Sequence, residues 1–337
     1  MAKKELRKID LANITSPEFV KDLNYKELDL LSEDIRNYIL DMTSKNGGHV
    51  SSNLGTVETI ISLCRNFDFL KDKIIFDVGH QAYTYKILTG RSLERLRKSD
   101  GVSGFQKISE SPYDHFECGH SSTSISVANG MAIARDLNHE KYNIIAFIGD
   151  SSISNGLAYE GLNNLASSGH KVIIVLNDNG MSISKPVGGL SGFFRKFSIS
   201  DVYIKSKNVT RTILQGTRLG RWILRQFTKI KNWFKRKLIN LTPFETIGYK
   251  MIGPVDGHYI KHLDAAFAKA KRINSPVVVH VKTIKGKGYK YAENDTNGDW
   301  HGLSSFDKET GDIKITEAAV TWSEQYKLIL KNEMALN

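Results

Sequence analysis

Short apolar runs rich in Ile and Val recur along the chain at Ile74–Val78, Asn143–Ile148, Lys171–Leu176 and Pro276–Lys282. Continuous hydrophobicity over so few residues predicts strands buried on both faces. Between them, Ser124–Leu137 and Leu157–Ala166 have helical length and spacing, and His258–Arg272 places apolar residues near i, i+3, i+4 and i+7. Strands alternating with helices imply βαβ units: an α/β fold, with a mostly parallel sheet, helices on both faces and ligands at the carboxyl ends of the strands. There is no internal repeat; the one candidate insertion is Gly188–Thr242, opening with GGLSGFF.

A chain of 337 residues, 40% hydrophobic, is long enough to bury one large core or two ordinary ones. The segment MAKKELRKIDLANITSPEF lacks the apolar centre of a signal peptide. No later run approaches the ~18 uncharged apolar residues that span a bilayer, so no transmembrane segment and a cytoplasmic location are expected. Cys64 and Cys118 lie outside any metal-binding spacing and read as ordinary buried thiols. The net charge of +11 is local, because eleven Lys and Arg stand against the single acid Asp201 between Asp201 and Asn240. There Ile223, Phe227, Ile230 and Phe234 share one helical face among the basic residues, which predicts a helical insertion at about 190–242. Such a helix suits a partner surface or the covering of a site; it matches no nucleic-acid recognition motif.

The most informative stretch runs from the end of NIIAFIGD to VIIVLNDNG. Asp150 at one strand end and an Asn at the next can present oxygens to a hard cation, and Mg²⁺ suits a set that leaves room for phosphate and water. Small residues after Asp150 let the backbone approach a diphosphate, and the following helix can turn its amides toward it.

Taken with GGHVSSNLGTVE (Gly47–Glu58), DVGHQAY (Asp77–Tyr83), GHSSTSIS (Gly119–Ser126), NDNGMSIS (Asn177–Ser184) and IGPVDGH (Ile252–His258), this stretch resembles the 1-deoxy-D-xylulose-5-phosphate synthase and transketolase group. The resemblance implies the diphosphate-binding (PP-type) half of a thiamine diphosphate-binding fold, over residues 1–315, with 316–337 as a tail or the start of a linker. It implies a transferase of aldehyde or ketone residues that uses thiamine diphosphate and Mg²⁺. A donor, pyruvate or a ketose phosphate, would be joined to an aldehyde or sugar phosphate acceptor. By the same resemblance Asp150, Asn179 and the carbonyl of Met181 hold the metal. His80, Gly119, His120, Ser121, Gly149, Ser151, Ser152, Asn179 and Tyr289 contact the cofactor. His49 and His301 are the active-site histidines, a role suited to a side chain that titrates near neutrality. Lys285 and Lys287 read as solvated strand-end charges, and Asp178 as pointing away from the metal.

The resemblance also marks departures. Ser151 stands where the family has glycine after the acid, and would be strained if that backbone needed a positive φ. Gly180 stands where close relatives carry glutamate. No residue matches the glutamate of the family's pyrimidine-binding half, so a second chain or domain, within a homo- or hetero-oligomer, is expected to complete catalysis, and the isolated chain is expected to be inactive. A non-catalytic module that kept the fold is the alternative reading.

Overall fold

The computed structural model describes residues 6–181, 242–314 and 321–335. The basic run at 201–240 and the Ser182–Ser184 part of its preceding motif lie outside the described residues.

The first long element is α1, Tyr25–Asn46, which the sequence reading did not single out. A reciprocal capping box starts it: Asn24 accepts the Glu27 amide, and the Glu27 carboxylate accepts the Asn24 amide. Gly47 at φ 72° stops it and returns its N–H to the Thr43 carbonyl, so the helix ends three residues before His49. A single turn, α2 (Ser51–Leu54), leads into α3 (Val57–Asn66).

Then come β1 (Lys73–Phe76), α4 (Tyr83–Leu88), α5 (Ser124–Leu137), β2 (Ile144–Gly149), α6 (Gly156–Ser168) and β3 (Ile173–Asp178). After the undescribed segment follow α7 (Pro243–Thr246), β4 (Lys250–Asp256), α8 (Ile260–Lys271), β5 (Val277–Lys282), α9 (Lys290–Glu293) and α10 (Trp322–Ala335). The five strands pair in parallel in the order β1-β2-β3-β5-β4.

The central strands alternate their side chains between two apolar layers, which is why their sequences are almost continuously apolar until their carboxyl ends, with His280 of β5 the buried exception. Ile145 and Phe147 of β2 face a core shared with α1, α3 and α8, whereas Ile144, Ala146 and Ile148 face α5 and α6. All strands being parallel, the segments after β1, β2, β3, β4 and β5 emerge along one edge. The α5 prediction holds to the residue, and α6 and α8 lie within about two residues of theirs.

Strand β4 escaped the sequence reading. Gly253 and Pro254 interrupt it, only Ile252 within it is fully buried, and it sits at the sheet edge where proline is tolerated. Helix α10 buries no residue, and Trp322 is 91% exposed. Cys64 is buried as expected, but Cys118 is only partly so.

If the two-layer account is right, Phe147→Ala should cost about 3–5 kcal/mol, because it opens a cavity under the middle of the sheet. Leu137→Ala, at a side chain 74% exposed, should change stability by under about 0.5 kcal/mol in the same urea titration.

Candidate functional site

Four turns at the carboxyl edge build the site. After β1 the chain reverses sharply through Val78 at φ 63° and Gly79 at φ 99°. A left-handed conformation is costly for a β-branched residue, and here it presents His80. Asp77, 1% exposed, accepts the Ser122 amide (2.8 Å), the Ser124 amide (3.2 Å) and the Ser124 hydroxyl (2.8 Å). That carboxylate therefore fixes the Gly119–Ser122 turn at the start of α5, where the helix dipole favours an acid. Within the turn, the His120 Nδ1–H donates to the Ser121 carbonyl at 2.8 Å. The Ser122 hydroxyl reaches the Ser152 carbonyl at 2.9 Å, tying this turn to the one after β2.

At the second turn, Asp150 is 7% exposed and accepts amides from Ser151 (3.0 Å) and Gly180 (2.9 Å). Burial and the charge of Asp178 nonetheless push its carboxyl up to about 7, against which the two amides act. Ser151 has φ −70° and ψ −48°, an ordinary right-handed conformation, so serine in place of glycine carries no backbone strain. Its amide is committed to the Asp150 side chain, and its hydroxyl is buried without a partner among the described residues. Helix α6 does not follow directly, because a 3₁₀ turn, Ser152–Ser154, intervenes.

The third turn follows β3. Gly180 at φ 68° takes the left-handed conformation that glycine adopts without penalty, and its amide is shared between Asp150 and Asp178. Asp178 therefore does not turn away from the metal group as expected: it contacts the same amide and pairs with the buried His280 at 2.7 Å. The Asn179 side-chain oxygen accepts the Met181 amide at 2.9 Å, closing the loop on itself. Asp150 and Asn179 are thus brought to neighbouring turns that share the Gly180 amide region; of the expected metal ligands, Met181 is the last described residue of this loop.

The histidines gather beside these turns. Ring centroids lie 5.3 Å apart for His49 and His80, 5.5 Å for His49 and His301, and 5.1 Å for His80 and His301. Backbone pairing between Gly48 and Leu303 (2.9 and 3.1 Å) brings the His49 and His301 loops together. Asp295 shapes the second of these loops by accepting the amides of Asn297, Gly298, Asp299 and Trp300. Asn53, fully buried, joins the other two histidines. Its amide donates to the carbonyls of His49 and His80, both at 2.7 Å, and accepts the Tyr83 N–H at 2.9 Å.

Burial, His301 and Arg97 lower His49 to about 4; burial, the other two histidines and Lys285 lower His80 to about 3; His301 is also depressed, by burial and Lys285. The expectation of titration near neutrality is thereby corrected for His49 and His80: burial disfavours the charged ring, and the neighbouring rings and cations add to that effect. Nδ1 of all three is buried without a hydrogen-bond partner among the described residues. A cavity of about 330 Å³ beside His49 is lined by Arg97, Gly302, Leu303 and Ser304.

Two other expectations change. Lys285 is half-buried, and its charge interacts with Asp295 and Asp150 and acts on His80 and His301, so it belongs to the site rather than to solvent. Lys287 instead pairs with the buried Glu58 at 3.1 Å. Tyr289 is not brought to the Asp150 turn by any described contact. It packs among Tyr291, Trp300 and Phe306, donates its hydroxyl to the Lys308 carbonyl at 3.0 Å, and is pushed up to about 12 by burial.

A carboxylate at this depth, a side-chain amide oxygen and small residues suit a hard divalent cation, and unpartnered ring nitrogens beside them suit a polar ligand. The family described as 1-deoxy-D-xylulose-5-phosphate synthase matches residues 11–283. The chain is 48% identical over 304 residues to the 1-deoxy-D-xylulose-5-phosphate synthase of Clostridium beijerinckii, covering 90% of this chain and 49% of that protein. It is 47% identical over 310 residues to that of Clostridium tetani, covering 91% and 50%. It therefore spans about half the length of the curated relatives it matches. Transketolases from Campylobacter jejuni (TM-score 0.61, 18% identity, 84% of this chain and 41% of that one) and Leishmania mexicana (0.59, 15%, 82% and 39%) share the fold.

An acid with a raised pKa is preferentially protonated in the folded chain, so its cost to stability is absent below about pH 4 and complete above about pH 7. Asp150→Asn is expected to stabilise the metal-free chain by about 1–3 kcal/mol at pH 8 and by almost nothing at pH 4, read from urea midpoints. A variant less stable than the parent at pH 8 would show that the surroundings already neutralise Asp150.

Proposed function

The chain belongs to the 1-deoxy-D-xylulose-5-phosphate synthase family, and from that premise we propose that it is the diphosphate- and Mg²⁺-binding half of a thiamine diphosphate-dependent transferase, acting in the cytoplasm. The observation that carries the reading is a buried strand-end carboxylate held by only two amides, at the same sheet edge as a cluster of three histidines whose Nδ1 atoms have no partner among the described residues. Asp150, the Asn179 side-chain oxygen and the Met181 carbonyl hold the metal. His80, Gly119, His120, Ser121, Gly149, Ser152 and the Ser151 hydroxyl surround the diphosphate, with the charge of Lys285 beside them. Residues 1–315 make up this half, with 316–337 as a tail or the start of a linker.

Bound thiamine diphosphate supplies the electron sink that carbon–carbon bond formation between pyruvate, or a ketose phosphate, and an aldehyde requires. His49 and His301 meet the substrates as neutral hydrogen-bonding groups, able to take a proton once an anion beside them raises their basicity. Arg97, in the cavity wall next to His49, offers a guanidinium to a carboxylate or phosphate. The pyrimidine-binding half, from a second chain or domain, completes the catalytic centre. The basic segment at 201–240 meets that partner or covers the site.

Titration calorimetry with thiamine diphosphate and Mg²⁺, on this chain assembled with a matching second half, tests the reading. Binding should require Mg²⁺, and Asp150→Ala and Asn179→Ala should each weaken it by at least about tenfold, the order expected when one oxygen ligand is lost. Product formation from pyruvate and glyceraldehyde 3-phosphate should appear only in the assembled enzyme. Unchanged affinity in both variants would sink the assignment.

A further inference from the structure

The mechanism above leaves unused a buried cluster of charges behind the site. Glu58 on α3 is 4% exposed and receives Arg36 of α1, His258 Nδ1 at 3.1 Å and Lys287 Nζ at 3.1 Å. Burial alone would raise its carboxyl, but the His258 hydrogen bond and the charges of Arg36 and Lys287 outweigh that and hold it at about 2. His258 is oriented by a second contact: its Nε2 accepts the Ile284 amide at 2.8 Å, so Nδ1 carries the proton donated to Glu58.

Two of these partners, His258 and Lys287, tie Glu58 to the loop after β5, while Arg36 joins it to α1. His258 grips that loop at Ile284, the Gly286 amide donates to the Ser51 carbonyl at 2.8 Å, and Lys287 returns to Glu58. The loop lies against its support so closely that a Cβ on Gly55 would sit 2.7 Å from the Ile284 carbonyl oxygen, and one on Gly288 would sit 3.1 Å from Arg36 Cδ. Lys285 falls between the two backbone anchors at Ile284 and Gly286.

We propose that Glu58 is a positioning residue: through His258 and Lys287 it fixes the backbone on both sides of Lys285 and aims that cation at the pocket shared by Asp150, His80 and His301. The use of the aimed cation, to meet the diphosphate of the cofactor, rests on the functional reading above. The aiming itself does not. A long lysine stem is otherwise free to sample solvent, and holding its backbone from both sides removes much of that freedom.

The test reads His301, whose basicity is set by burial and by the groups that face it: His49, His80, Lys285 and Asp295. In the cofactor-free chain carrying labelled histidine, Lys285→Met should raise the His301 midpoint by about 0.5–1 pH unit in a magnetic-resonance titration. Glu58→Gln and His258→Ala should raise it in the same direction by at least half as much. Amide exchange at Ile284 and Gly286 should quicken by about tenfold or more while that of β3 stays as in the parent. A purely structural role would speed exchange throughout and leave His301 in place.

The proposal is overturned if Lys285→Met does not move His301, or if it does and the other two variants do not. Should Glu58→Gln fail to fold, His258→Ala decides, since it keeps Arg36 and Lys287 on Glu58. In the assembled enzyme the folded variants should bind thiamine diphosphate with Mg²⁺ about tenfold more weakly. A parent that binds no cofactor would instead defeat the functional reading, with the His301 shift still deciding the role of Glu58.

Discussion

The structure depends on burying a negative charge, that of Asp150, at the carboxyl edge of a parallel sheet. Parallel pairing forces every strand to end on the same side, so Asp77, Asp150 and Asp178 converge from three neighbouring strands. Each is satisfied differently. Asp77 is spent on the amides and hydroxyl that begin α5, and Asp178 on His280 and Gly180, but Asp150 has only two amides and is driven toward its neutral form. Solvating an anion with amides costs less than leaving it bare, yet does not replace a counter-charge. A divalent cation at that turn would return the carboxyl to its ionised form, and would tie metal, diphosphate and protein charge into one equilibrium.

The surrounding residues reduce what must be ordered when such a ligand arrives. Asn53 holds two histidine loops by their carbonyls, Asp295 holds a third by four amides, and Glu58 holds the lysine loop by side chains from three elements. All three work through backbone or through another side chain, so a one-atom loss in any of them is felt some distance away. Rigid support of this kind is what lets loops carry a site at defined geometry.

Much of this was legible in the sequence, and what was not has a common cause. Buried strands announce themselves by unbroken Ile and Val, and Asp150 and Asn179 by standing at two consecutive strand ends. Strand β4 was hidden by Gly253 and Pro254, which an edge strand tolerates and a sequence pattern does not. Asn53, Asp77, Arg97 and Glu58 were missed as site residues because their roles are set by contacts across tens to hundreds of positions: Glu58 reaches Lys287, 229 residues away. No local spacing encodes such a contact. The histidine protonation states and the inward setting of Lys285 were misread for a related reason. A residue type carries its ordinary basicity, whereas burial and the charges of distant neighbours exist only once the chain has folded.

Those effects decide how protons move when charge enters the site. A cation at Asp150 favours the carboxylate and releases a proton near pH 7, whereas an anionic diphosphate near His80 and His301 favours the imidazolium and takes one up. The two responses oppose each other. His49 and His80 start far below neutrality, at about 4 and about 3, so an anion must overcome several pH units before either ring is charged at pH 7. Asp150 starts at about 7 and needs almost nothing. If the proposed metal binds at Asp150, metal-linked proton release should therefore dominate, and a diphosphate partly neutralised by that metal would leave His49 and His80 uncharged. Uncharged rings could then hydrogen-bond a substrate oxygen without competing with the metal for the phosphate.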